Sequence, residues 1–225
     1  RDDSTMWRKQ RGVWESHTWG DYGDWSRDIG HALIAQGLKS GDKISIISET
    51  RMEWVVLDMA IMGIGCITAP VYPSNTEEQV KYIVKHSESK VVFAEDQEQL
   101  DKMLVIWKDL PMVKKIVVID KYYPRNLPNV ISLDGYRDLG QLHRGENTGK
   151  FEERLKLVKP NDIISFTYTS GTTGNPKAGM FNSKNVITVA KNLPEMLPTY
   201  RTDLGISYLP LSHIAERLLG HFIKL

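Results

Sequence analysis

The chain holds 225 residues, with 41% hydrophobic and 25% charged side chains, which is the balance of an ordinary soluble globular protein with room for one sizeable core and the start of a second. Its 29 Lys and Arg against 28 Asp and Glu leave a formal net charge of +1, so there is no electrostatic case for a nucleic-acid partner. The single cysteine, Cys66, has no partner for an internal disulfide, and its apolar neighbours predict a buried structural thiol in a reducing, cytoplasmic compartment.

The chain opens at Arg1 with no initiator Met, signal peptide or transit signature, and residues 216–225 form a helical pattern that no Gly or Pro closes. It is expected to be an amino-proximal portion of a longer polypeptide. Residues 1–17 carry Trp7 and Trp14 among charges and read as an irregular lead-in. Thr18 with Asp21 three positions on marks a helix start; Tyr22, Trp25, Ile29 and Leu33 give an apolar stripe at helical spacing, and Gly37 a stop.

A repeated alternation follows. Strands are predicted at 43–48, 67–71, 91–94 and 116–119. Between them lie helices with capping signals at Thr50 and Glu53, at Thr76 and Gln79, and at Asp96 and Gln99. Such spacing implies right-handed crossovers and an α/β fold whose mostly parallel sheets are flanked by helices. Residues 54–72 make the one candidate membrane span, but Asp58, two glycines and Pro70 favour a buried helix followed by a buried strand.

Residues 121–160 are polar and punctuated by Pro and Gly, and are predicted to hold one short strand and a helix near 152–158. The expected division is a first α/β subdomain over 1–120, a polar junction over 121–160, and the truncated start of a second α/β subdomain over 161–225. In that last part, 162–166 reads as a buried strand and 178–181 as its successor. Asn182 opens a helix that Pro194 ends, 204–209 is a further strand, and Ser212 caps a last helix whose Ile214, Leu218, Leu219, Phe222 and Ile223 face inward.

The most informative stretch joins the first two of those strands: Tyr168, Thr169, Ser170, Gly171, Thr172, Thr173, Gly174, Asn175, Pro176, Lys177. Glycines let backbone N–H groups turn inward as an anion nest, hydroxyls add donors, and Lys177 supplies positive charge, as a polyphosphate requires. Asn175 and Pro176 stiffen the exit, which keeps the lysine aimed at the loop. This is not the Walker arrangement, because Gly171 and Gly174 are three apart and Ala178, not a Ser or Thr, follows the lysine.

These ten residues resemble the phosphate loop of the adenylate-forming superfamily of acyl-CoA synthetases, luciferases and peptide-synthetase adenylation domains. The resemblance implies two steps. A carboxylate attacks the α-phosphate of Mg-ATP to give an acyl-adenylate and pyrophosphate, and the thiol of coenzyme A then takes the acyl group. Residues 169–177 would grip the β- and γ-phosphates. Thr18-Trp19, Gly37-Leu38, Gly41-Asp42, Ala69-Pro70-Val71 and Pro73 also fall, in order, where the superfamily places similar residues.

Leu209-Pro210-Leu211-Ser212-His213-Ile214-Ala215-Glu216-Arg217 resembles a segment of long-chain and bubblegum-type fatty acyl-CoA synthetases. By that resemblance His213 lies beside the carboxylate and adenylate site; its local sequence alone favours a helix-start histidine with a structural hydrogen bond, and the resemblance sets the two readings level. Glu216 and Arg217 are expected to support local structure through the helix dipole and an ion pair. His17, His31, His86 and His143 read as surface or packing residues, His213 and His221 are spaced wrongly for an HExxH zinc site, and Gly63-Ile64-Gly65 reads as a packing feature.

The resemblance thus implies an ATP-dependent fatty acyl-CoA synthetase, with fatty acid, ATP and CoA as substrates and Mg2+ as cofactor. No transmembrane anchor is expected; peripheral association with an intracellular membrane and membership of a larger assembly stay open. The alternative is a degenerate synthetase-like subunit with a structural or scaffold role. The abrupt ends and Ala178, which stands where the superfamily usually has Gly, motivate it; Ser183, where His or Gln is common, is a further departure that bears on nucleotide binding. The superfamily's adenine- and Mg-binding segment and catalytic-lysine domain are missing, so this fragment alone is not expected to be active.

Overall fold

A computed structural model describes residues 4–10, 12–120, 127–169, 175–198, 200 and 203–224. In place of an irregular lead-in the chain opens with an antiparallel hairpin, β1 (Ser4–Gln10) and β2 (Val13–Thr18). Gly12 turns it at a φ of +84°, and Arg8 pairs with Glu15 across the strands at 2.9 Å. Scattered charges hid the alternation, because neither face of this ribbon is fully covered and its tryptophans, Trp7 and Trp14, stay exposed.

Helix α1 (Trp19–Ala35) begins with the expected capping box between Thr18 and Asp21, and Gly37 at a φ of +82° stands just beyond its end. Then come β3 (Lys43–Ile47), α2 (Met52–Gly63), β4 (Ile67–Val71), α3 (Glu77–Ser87), β5 (Val91–Ala94), α4 (Gln97–Ile106) and β6 (Lys115–Val118). Thr76 with Gln79 caps α3, and Asp96 caps α4. Thr50 does not cap α2, which starts after Arg51 with no side-chain cap. Its hydroxyl is engaged elsewhere, donating to the Leu209 carbonyl and accepting from the Leu211 N–H.

The supposed junction contains β7 (Val130–Ser132), α5 (Leu133–Glu146) and α6 (Lys150–Leu157). The fourteen residues of α5 were not legible because Gly135 and Gly140 read as loop punctuation. Gly140 instead marks contact with α1: a Cβ there would lie 1.8 Å from the Asp28 carbonyl oxygen. The helices are also tied by charge, since Arg144 and Gln141 donate to the buried Asp28 carboxylate at 3.1 and 2.9 Å.

Then follow β8 (Ile163–Thr169), β9 (Lys177–Asn182) and α7 (Ser183–Met196). Asn182 caps α7 reciprocally with Asn185, as its sequence implies. The helix runs through position 194 to Met196, because a proline that close to the end forfeits only one amide donor. Residues 203–208 pair with no strand among the described residues, contrary to the predicted strand at 204–209. Leu204, Ile206 and Tyr208 alternate as a strand would but are 91, 87 and 73% exposed.

Among the described residues seven strands form one sheet in the order β7-β6-β5-β3-β4-β8-β9, parallel throughout except for the β8–β9 pair. Alternate side chains sort to opposite faces. Ile44, Ile46, Val91, Phe93 and Val117 pack with α1, α2 and α5, while Ile47, Val92, Ala94, Ile116 and Val118 pack with α3 and α4. Cys66 is buried as expected, and burial pushes its thiol up to about 12. Gly63 is a packing glycine, since a Cβ there would meet the Phe151 ring at 2.5 Å. Among the described residues no helix is long and apolar enough to cross a membrane.

Candidate functional site

Parallel crossovers carry the ends of β3, β4 and β8 to one edge of the sheet, where open α/β sheets bind ligands. The phosphate-loop stretch leaves β8 at that edge. Ser170, Gly171, Thr172, Thr173 and Gly174 lie outside the described residues. On either side, β8 and β9 run antiparallel in register, with Tyr168 opposite Ala178 and Thr169 opposite Lys177. Thr169 and Lys177 are thus opposite one another in register at the end of the β8–β9 pair.

Strand periodicity says which way these residues point. Ser165 faces the Arg217 guanidinium, whose Nη1 donates to its hydroxyl; Thr167 and Thr169 follow on that same face. Tyr168 points the other way, into the core beneath α3 and α4. Burial pushes its phenol up to about 12, so the proton stays on at neutral pH. Thr169, Asn175 and Lys177 are exposed. Among the described residues Lys177 has no carboxylate partner, which leaves its charge available to an anion. Ala178 lies within β9 and is not among the residues of positive φ, so replacing the glycine costs no backbone strain there.

The segment around His213 reaches the same edge. Thr50, just past β3, holds Leu209 and Leu211, and the Ser212 hydroxyl donates to the carbonyl of Val71, the last residue of β4. His213, not Ser212, caps the short helix α8 (Ile214–Glu216), its Nδ1 accepting from the Ala215 N–H at 3.2 Å. Its ring is exposed. The structure thus gives His213 the structural bond that its position suggested and also sets it at the edge shared with the loop.

Beyond α8 the helix widens into a π-helical turn (Arg217–His221) and a 3-10 turn (Phe222–Lys224). That change of pitch breaks the expected apolar stripe. Phe222 is buried, but Leu219 is 45% exposed, and the inward positions belong to Glu216, Arg217 and His221. Arg217 grips Asp58 of α2 with Nη2 to Oδ2 at 2.7 Å and Nε to Oδ2 at 3.1 Å. Thr68 donates to the other carboxylate oxygen at 2.6 Å, and the guanidinium lies 5.3 Å from the Trp54 ring centroid. The ion pair expected of Arg217 is present, with a partner on a distant helix. The lone acid in the apolar run of α2 was its only trace in the sequence.

Other histidines also have specific partners. His86 Nδ1 lies 3.0 Å from the Tyr168 hydroxyl, and His31 Nδ1 lies 3.0 Å from His143 Nδ1. Burial, then the His143 and Arg144 charges, hold His31 below the usual imidazole range. Among the described residues no three His, Cys, Asp or Glu side chains converge as a metal centre.

With this geometry in view, similarity to known proteins is informative. The chain is 30% identical over 222 residues to the long-chain-fatty-acid–CoA ligase ACSBG1 of Bos taurus, covering 96% of this chain and 30% of that protein. It is 29% identical over 225 residues to the long-chain-fatty-acid–CoA ligase FadD15 of Mycobacterium bovis, covering 98% of this chain and 36% of that one. It therefore spans about a third of the length of the curated relatives it matches.

Among solved structures, ATP-bound MatB from Rhodopseudomonas palustris superposes with a TM-score of 0.75 at 19% identity, over 100% of this chain and 41% of that one. The anthranilate CoA ligase AuaEII with anthranoyl-AMP gives 0.65 at 22% identity, over 79% and 32%. At such identities these two show the shared fold. The family described as AMP-binding enzyme matches residues 3–225, and this chain belongs to it.

Proposed function

We propose that the protein carrying this chain activates a fatty carboxylic acid, long-chain in type, by adenylation and transfer to coenzyme A. The observation that carries the proposal is the register of Thr169 with Lys177 at the sheet's carboxyl edge, with the loop 170–176 between them. A threonine and a lysine in register at either end of a Gly- and Ser/Thr-rich stretch suit the β- and γ-phosphates of ATP. The long-chain fatty-acid–CoA ligases among its relatives support the choice of acid.

In this reading residues 169–177 hold the triphosphate tail while the carboxylate oxygen attacks the α-phosphorus. The bond to the bridging oxygen breaks, and pyrophosphate leaves with its charge met by Lys177 and the loop donors. The CoA thiol then displaces AMP from the acyl-adenylate. His213 lines the acyl side. Mg2+ would accompany ATP, but the described residues do not form a metal centre, so no step is assigned to a metal held by this chain. Because the chain spans about a third of its relatives, it is not expected to complete either half-reaction alone. A scaffold role gains nothing from Ala178, which sits unstrained in β9.

The test is carboxylate-dependent exchange of labelled pyrophosphate into ATP by the whole protein, with palmitate and with aromatic and amino acids. Exchange with palmitate is expected, and Lys177→Ala should slow it by roughly 10- to 100-fold if one charge-assisted contact of about 1.5–3 kcal/mol is lost. Absence of exchange with every acid refutes the proposal.

A further inference from the structure

Among the described residues strand β9 is an edge strand whose neighbour in the sheet is β8. Its loop end, with Lys177 exposed, therefore lacks a flanking strand to steady it. Something outside the β8–β9 pair has to do so, and α3 does. Tyr82 and His86 are one helical turn apart and project from the same face of α3. The Tyr82 hydroxyl donates to the Pro176 carbonyl at 3.1 Å. Among the described residues that is the one hydrogen bond reaching residues 175–178 from outside the β8–β9 pair. It pins the peptide unit directly before Lys177.

His86 serves the other shoulder. Its Nδ1 is 3.0 Å from the Tyr168 hydroxyl, directly before Thr169, and the two rings meet edge to face at 5.7 Å and 81°. His86 also stacks on Tyr82, with centroids 5.4 Å apart and planes 25° apart. The opposite side of α3 is fixed in the core through Val80, Ile83, Val84 and Ser87. The three rings Tyr82, His86 and Tyr168 thus form a continuous brace, rooted in a rigid helix, that touches both ends of the loop.

We propose that Tyr82 and His86 are positioning residues for nucleotide binding, which set the orientation of Thr169 and Lys177 toward the polyphosphate without touching it. The inference rests on the phosphate-loop reading given under Proposed function. It assigns part of the nucleotide affinity to a helix whose sequence shows no phosphate-binding character.

Calorimetric titration of tripolyphosphate and of ATP into the whole protein that carries this chain tests it, beside the variants Tyr82→Phe, His86→Leu and His86→Gln, with the thermal midpoint as the control for folding. Tyr82→Phe keeps the stacked ring and loses one hydroxyl; it should weaken both ligands by about 3- to 10-fold, the effect of one net hydrogen bond. His86→Leu should weaken them similarly, and His86→Gln, which retains a hydrogen-bonding side chain, should recover most of the loss. The midpoints should stay within about 2 °C of wild type, since surface-near changes of this kind leave stability nearly unchanged. If wild type binds tripolyphosphate and Tyr82→Phe and His86→Leu bind it equally well, the brace is refuted and the loop reading stands. Weakened binding that follows a falling midpoint, with no recovery in His86→Gln, also refutes it by reducing the pair to general packing. If wild type binds neither ligand, both readings fail.

Discussion

A buried guanidinium is tolerable only when its charge and donors are met, and Arg217, 1% exposed, shows how fully that can be done. Asp58 neutralises it, Ser165 takes another donor, and Trp54 and Phe222 cover it at 5.3 and 5.5 Å. One side chain thereby ties α2, β4 through Thr68, and β8 to the segment that bears His213. Arg217→Met should lower unfolding free energy in urea by about 3–5 kcal/mol, because Asp58 would be left buried and unpaired. Converting both, as Asp58→Leu with Arg217→Met, should restore much of that loss, since an apolar pair removes the uncompensated charge. A loss below about 1 kcal/mol in the single variant, the size of an exposed ion pair, would sink this account. The arginine's role could be half read from sequence: an ion pair was expected, but no spacing rule links positions 58 and 217.

At the scale of elements, the parts that announced themselves were those with local physical signatures. Thr18 with Asp21, Thr76 with Gln79 and Asn182 each satisfy orphaned amides at a helix start, and the structure uses each as a cap. Elements defined by a distant partner were missed. The β1–β2 hairpin shows no clear alternation because it lies half-covered at the surface, and the Thr50 signal failed because Leu209 and Leu211 claimed the hydroxyl. Helix α5 was obscured by its glycines, of which Gly140 is needed for close approach to α1. Two substitutions on that helix separate the explanations. Gly140→Ala, whose Cβ would strike the Asp28 carbonyl, should destabilise by about 1–3 kcal/mol or more, as overpacking does. Gly145→Ala meets open space and should stabilise by roughly 0.5–1 kcal/mol through helix propensity. Urea melts giving the same sign for both would argue against close packing as the reason for Gly140.

Across the whole molecule, the mostly parallel sheet and its two helical layers followed from the strand and helix alternation, whereas strand order did not, since β3 lies between β4 and β5 and no local signal says so. Residue type and order singled out the loop and 209–217 as the candidate site; the brace from Tyr82 and His86 had no such signal, because it exists only when α3 is laid beside β8 and β9. Residues 204–208 alternate like a strand, yet Leu204 and Ile206 are almost wholly exposed. Apolar surface of this kind is sticky. The chain should bind the dye ANS while folded and associate as concentration rises, and Leu204→Ser with Ile206→Ser should reduce both without lowering the thermal midpoint. Unchanged dye binding would mean the apolar surface lies elsewhere. The pairing of Arg217 with Asp58 also bears on biosynthesis, because 159 positions separate them. At a translation rate of about 5–20 residues per second, roughly 8–30 s pass between the appearance of the acid and that of its counter-ion. Throughout that interval the nascent polypeptide carries a carboxylate whose destined environment is still incomplete, so water must keep it solvated and α2 can seat fully only after the ribosome has delivered the arginine.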